Sequence, residues 1–162
     1  MRSLLDRVTG AVTMYMLAIL LLSAIGVIAV VLSLLGMLSY AAPDLLVSAG
    51  VSLGVTVGSS WLIARILQVS PHLPSAIITG LLVFFIMLPS AEPVGLLLIA
   101  LTGFIASGTK YLIAVRGRHI LNPASAGTFV VGILVFSGLL PFGSFPGWWV
   151  GTSALLIPVA IG

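Results

Sequence analysis

Residues 11–38 run without a charged side chain, and this stretch constrains the chain more than any other feature. A hydrocarbon core of ~30 Å is crossed by about 20 apolar residues in helical form. Only helices and closed barrels satisfy their own backbone polar groups in that core, so the stretch predicts a transmembrane helix.

Composition extends the argument to the whole chain. Of 162 residues, 60% are hydrophobic and 6% are charged, and the mean hydropathy is +1.36. A soluble domain carries roughly 25% charged residues, so six basic and three acidic side chains cannot coat a water-facing surface. A soluble globular fold is excluded. Disorder is excluded by the same poverty of charge, and six scattered bases form no nucleic-acid footprint. The absence of cysteine removes disulfides and thiolate metal sites, and two histidines with three acids leave little capacity for a metal. The first apolar run is too long for the h-region of a cleaved signal peptide and reads as a retained span.

Prolines and charges divide the rest. Residues 39–44, with Pro43 and Asp44, read as a turn. Residues 45–67 form a second span whose small residues, among them Ser48, Ser52, Gly54 and Ser60, suit a face buried against protein. Residues 76–88, between Pro74-Ser75 and the run from Pro89 to Pro93, are too few to cross unaided and read as a half-helix or broken span. Residues 94–115 form the next span, with Lys110 near its end, and residues 116–119 form a basic loop. Asn122 and Pro123 have the character of N-cap and first position of a helix that runs to about 140. A turn over 141–147 leads into a sixth segment, 148–162, which stops without a charged flank and reads as part of a longer chain. The expected fold is an all-α integral membrane bundle of about six segments, one membrane domain over 1–162.

The basic residues give an independent topology. With a cytoplasmic N-terminus, Arg2, Arg7, Arg65, Lys110, Arg116 and Arg118 all fall on one side, and Asp44 and Glu92 fall on the other without a base. Lys and Arg concentrate in cytoplasmic connections, which makes the N-terminus cytoplasmic and the short third segment a full crossing; the cell's inner (plasma) membrane is the expected location.

No P-loop, dinucleotide fingerprint or helical metal pair is present, and no serine has an acid and base partner in its segment. Three candidate sites remain. Lys110, Arg116, Arg118 and His119 lead to the helix start at Asn122, where free N–H groups favour an anion such as a flavin phosphate; the alternative is that these bases face lipid phosphates. Ser75 and Thr79 open the short segment, where a broken helix exposes backbone to a ligand, or where Thr79 simply bonds its own i−4 carbonyl. Phe84, Phe85, Phe104, Trp148 and Trp149 are aromatic enough to stack on a flavin ring, although packing for the phenylalanines and interfacial anchoring for the tryptophans explain them too. Thr152 offers a hydroxyl at the start of the sixth segment.

The order of these motifs resembles a known family. Ser75-Ala76-Ile77-Ile78-Thr79-Gly80 ending in Leu88-Pro89, then Gly108-Thr109-Lys110-Tyr111, then Arg118-His119-Ile120-Leu121-Asn122-Pro123-Ala124, then Gly151-Thr152-Ser153, is similar to the NqrB/RnfD family over residues 70–162. Those are the flavin-carrying membrane subunits of Na⁺-pumping NADH:quinone oxidoreductase and Rnf electron-transport complexes. The resemblance implies half or more of an inverted-repeat fold like that of urea and ammonium transporters, FMN or riboflavin as cofactor, and other subunits or a cytoplasmic flavin/NADH reductase as partners beside the lipid bilayer. The chain departs from the family in having no Gly-Ala-Thr attachment motif. This departure implies a flavin held without a covalent link, or a reduced relative lacking the carrier threonine. The function implied is membrane electron transfer; a cofactor-free solute or ion channel of the same architecture is the alternative, and a structural subunit that docks a reductase is a third.

Overall fold

The structure, a computed structural model, describes residues 13–115, 118, 119 and 121–151. In chain order it contains α1 (Met14–Leu34), α2 (Ala42–Ile66), α3 (Leu73–Ile86), α4 (Pro93–Leu112), a two-residue ladder of β1 (Ala114–Val115) with β2 (Arg118–His119), α5 (Pro123–Phe136) and a 3-10 turn at Trp149–Gly151. Among the described residues the regular structure is all-helical apart from that ladder. Helices α1, α2 and α4 are long and apolar enough to cross a membrane, and α3 and α5 are shorter apolar helices.

Proline starts these helices more often than it ends them. Pro43, Pro74, Pro93 and Pro123 each occupy one of the first two positions of α2 to α5, where the missing N–H is an orphan donor anyway and the fixed φ suits the helix. The turn expected over 39–44 is therefore shorter: Pro43 and Asp44 belong to the first turn of α2, where a carboxylate complements the helix dipole. At the other end, α4 stops at Leu112 rather than 115, because Ala114 and Val115 pair with His119 and Arg118. Arg118 and His119 of the expected basic loop thus form the second strand of a small antiparallel ladder. Helix α5 stops at Phe136 rather than near 140, and the chain reverses at Gly138 with φ +76°, a left-handed conformation that glycine adopts at low cost. Of the sixth segment, only Trp148 and the turn Trp149–Gly151 lie within the described residues.

Small residues set the packing. On α2, Ser48, Ser52, Thr56, Ser59 and Ser60 are buried, and on α4, Gly95, Thr102, Gly103, Ala106 and Ser107. A Cβ on Gly103 would lie 2.6 Å from Thr56 Oγ1, and Ser107 Oγ donates to the Thr56 carbonyl at 3.0 Å while accepting from Ser60 Oγ at 3.1 Å. The paired positions ascend together, so α2 and α4 run parallel. Helix α3 runs back against α2: Ser52 Oγ donates to the Gly80 carbonyl at 2.7 Å, and a Cβ on Gly80 would lie 3.1 Å from Leu53 Cα. Helix α5 reverses against α4, with Gly127 facing the Thr102 carbonyl. Where lipid supplies no hydrophobic drive between helices, this close approach and these hydroxyl bonds hold the bundle. The buried face expected for residues 45–67 is present.

Two features carry no signal in the sequence pattern. The first is an internal repeat: α2–α3 and α4–α5 are two hairpins of the same direction, and their short helices each have 14 residues and begin fifty positions apart, after His72 and Asn122 as N-caps. The second is residues 143–149, expected partly as a plain turn. This segment folds back as a strap onto the end of α3. Leu88 N–H donates to the Phe145 carbonyl, and Gly147 and Trp148 N–H both donate to the Ile86 carbonyl. Ser144 Oγ donates to the Leu88 carbonyl at 2.6 Å. At 1.5 Å per residue, α3 rises only about 21 Å, and the strap satisfies the carbonyls left where its helical bonds end.

Candidate functional site

The end of the bundle where α4 finishes and α5 begins gathers the polar groups singled out above. Lys110 lies three residues beyond Ser107 on the inner face of α4 and is 4% exposed. Its ammonium sits over the Tyr111 ring, 5.8 Å from the centroid. An inward-facing lysine does not match the lipid-facing reading, which suits exposed Arg65, whose guanidinium lies 5.2 Å from the Trp61 ring. Intramembrane or membrane-edge charges on inner faces mark functional positions more often than packing positions.

Asn122 is the N-cap expected of it: its Oδ1 accepts from Ala124 N–H at 3.1 Å. That bond commits the oxygen to the helix and leaves the exposed amide nitrogen available for a ligand. Arg118 and His119 are placed by their backbone in β2, at the same end of the bundle. Arg116 and Thr152 lie outside the described residues. Beside the α5 start a groove of about 460 Å³ is lined by Ile113, Leu121, Asn122, Ser125, Ala126, Phe129 and Val130, within the size range of small-molecule sites. No sequence motif announces this groove, because its walls come from separate parts of the chain, the residue after α4 and the first turns of α5.

The second candidate resolves toward its simpler reading. Thr79 is buried, and its hydroxyl donates to the Ser75 carbonyl at 2.8 Å. The half-buried Ser75 gives its own N–H to His72 Nδ1 at 3.4 Å. The helix begins at Leu73, earlier than residue 76, because His72 supplies the cap that sequence reading leaves unassigned. Thr128 on α5 repeats the back-bond of Thr79, donating to the Ala124 carbonyl at 3.0 Å.

The aromatic candidates separate. Phe84, Phe85 and Trp149 are nearly fully buried and pack on one another at centroid distances of 5.1, 5.2 and 6.1 Å, which leaves no slot for a ring between them. Trp149 is therefore a core residue rather than an interfacial anchor, while Trp148 and Phe104 are exposed. Thr56 Oγ1 is fully buried and has no hydrogen-bond partner among the described residues; its proximity to the bare Gly103 backbone marks a helix crossing point rather than a cavity. No family model, curated protein or solved structure matches this chain.

Proposed function

We propose that this chain is a membrane electron-transfer subunit or domain that holds FMN or riboflavin non-covalently at the end of the bundle where α4 gives way to α5. The observation that carries this reading is the groove between Ile113 and the start of α5, beside a helix N-terminus and at the end of α4 that carries the inward-facing Lys110. The residues present fit a flavin in part. Lys110, the N–H groups that begin α5, and Arg116 and Arg118 suit a phosphate or ribityl end, and the apolar groove wall with Phe129 suits the ring. Thr79 and the Asn122 oxygen do not take part, because both are committed to their own helices. A bound flavin would supply the redox chemistry, and the protein would set its position and the charge around it. Multi-pass insertion with a cytoplasmic N-terminus, about six crossings, and partners that include other subunits or a flavin/NADH reductase belong to the same proposal, as does the kinship to the NqrB/RnfD family.

The second reading, a cofactor-free channel for a solute or ion, is supported by two apolar helices shorter than a span, since transporters use broken helices to present backbone to a ligand. Flavin stoichiometry separates the two. Purified protein reconstituted with FMN or riboflavin is expected to show the flavin absorbance bands and to lose most of the bound flavin, roughly tenfold in affinity, on Arg118→Ala, since one charge-assisted hydrogen bond contributes about 1.5–3 kcal/mol. Arg2→Ala serves as the control. Equal retention in wild type and both variants removes this site, and no flavin in any sample favours the channel.

A further inference from the structure

His72 is placed to make the start of α3 sensitive to pH. Pro74 has no N–H, so the first turn of α3 has few donors to satisfy, and the imidazole Nδ1 takes one of them, accepting from Ser75 N–H at 3.4 Å. An acceptor Nδ1 requires the neutral ring with its proton on Nε2. The other face of the ring meets Tyr15 of α1, with centroids 4.8 Å apart and planes at 52°. The His72 ring therefore joins two elements: it caps α3 and touches the first turn of α1, a helix whose membrane window is only 6% buried inside the bundle.

We propose that His72 is a proton-operated latch: when neutral it caps α3, and when protonated it releases the Ser75 amide and turns to the Tyr15 ring. Protonation turns Nδ1 from acceptor to donor and places a positive charge at the positive end of a helix dipole, and both effects disfavour the cap. The same charge is attracted to the face of an aromatic ring, so the contact with α1 persists as the helix start loosens. Histidine is the side chain whose charge changes between pH 5 and 8. The surrounding groups do not oppose this. Tyr15 is the titratable group on α1, α5 has none, α2 carries Asp44 at its far end and Arg65 over Trp61, and α4 carries Lys110 and Tyr111. Among the described residues His72 forms no ion pair.

The test is amide exchange at Ser75 in the full chain in nanodiscs, at pH 7.5 and 5.5 and corrected for intrinsic rates. Wild type is expected to lose about fivefold in protection on acidification, the worth of one N-cap bond. His72→Asn keeps an acceptor that does not titrate and is expected to hold its protection at both pH values, and His119→Asn is expected to behave as wild type. Unchanged protection in wild type, or an equal loss in His72→Asn, overturns the proposal. A measurement that needs no variant is the imidazole nitrogen NMR signature of His72 at pH 7.5, where the Nε2–H tautomer is expected; an Nδ1–H tautomer overturns the latch outright.

Discussion

The indole Nε1–H of Trp149 donates to the carbonyl of Phe84 at 2.8 Å, across a sequence separation of 65 residues. That carbonyl belongs to the last turn of α3, where helical partners run out, and Trp149 is 2% exposed. Trp149→Phe keeps an aromatic ring but leaves the carbonyl without this partner, and is expected to destabilise the protein by about 1–3 kcal/mol. Trp149→Ala adds a cavity and is expected to cost about 3–5 kcal/mol. Thermal unfolding in detergent measures both; equal melting temperatures for wild type and Trp149→Ala would refute the buried placement.

Two glycine-to-alanine changes on long and short helices should go in opposite directions. A Cβ on Gly127 meets the Thr102 carbonyl at 2.6 Å and Ala106 at 3.0 Å, whereas one on Gly54 meets nothing within 4 Å. Gly127→Ala is expected to cost about 1–3 kcal/mol through forced separation of α4 and α5. Gly54→Ala is expected to be neutral or to stabilise by up to about 1 kcal/mol through helix propensity. Comparable losses in both would mean that α5 does not approach α4 through Gly127.

Ser48 ties α2 to the unwound stretch after α3 with two bonds, donating to the Ser90 carbonyl at 3.0 Å and accepting from Ser90 N–H at 2.9 Å. Ser48→Ala leaves both backbone groups short of a partner and is expected to lower stability by about 1–3 kcal/mol. Ser137→Ala removes an exposed bond to the Leu134 carbonyl and is expected to stay within about 0.5 kcal/mol of wild type. Denaturant titration of the two variants, side by side with wild type, provides the comparison.

The parallel run of α2 and α4 has a topological outcome. If both hairpins cross the bilayer, the connections before α3 and before α5 share a side, and the connection before α4 lies opposite. The chain has no cysteine, so single substitutions at Ser70, Leu121 and Ala91, all exposed, report cleanly to an impermeant thiol reagent. Ser70→Cys and Leu121→Cys are expected to label from one face and Ala91→Cys from the other. Labelling of Ser70→Cys and Ala91→Cys from one face, with Leu121→Cys from the other, would mean that α3 is re-entrant.

Much of this bundle is legible in the sequence because the rules for a membrane helix are one-dimensional: an uncharged run such as 11–38 has few alternatives, and serines in α2 announce a buried face. Asn122-Pro123 is legible because capping is local. Sequence and structure part where distant chain decides. Pro43 and Pro93 carry no mark that distinguishes a helix start from a helix stop, and the residues on their C-terminal side settle which it is. Trp149 cannot be told from an interfacial anchor by sequence, because its partner carbonyl is on another helix. The strap is invisible for the same reason: its bonds use backbone groups, which every residue has. Lys110 stands out in the sequence, but its inward direction comes from its register with Ser107 and Gly103, which periodicity makes available once the buried face of α4 is known.

The two repeated hairpins carry an electrostatic consequence. In an inverted pair the dipoles of the short helices would oppose each other; here α3 and α5 point the same way and finish beside one another, near the Met87–Pro146 bridge. Each contributes the equivalent of ~0.5 negative charge at its end, so two like partial charges meet in an interior that contains no basic side chain nearby among the described residues. The N–H groups of Gly147 and Trp148, both on the Ile86 carbonyl, and the indole of Trp149 on the Phe84 carbonyl are the counterweight at the α3 end, supplied by dipoles instead of ions. The bundle therefore has an inherent polarity along its axis, positive where the short helices start and negative where they end, written in backbone direction rather than in side-chain charge.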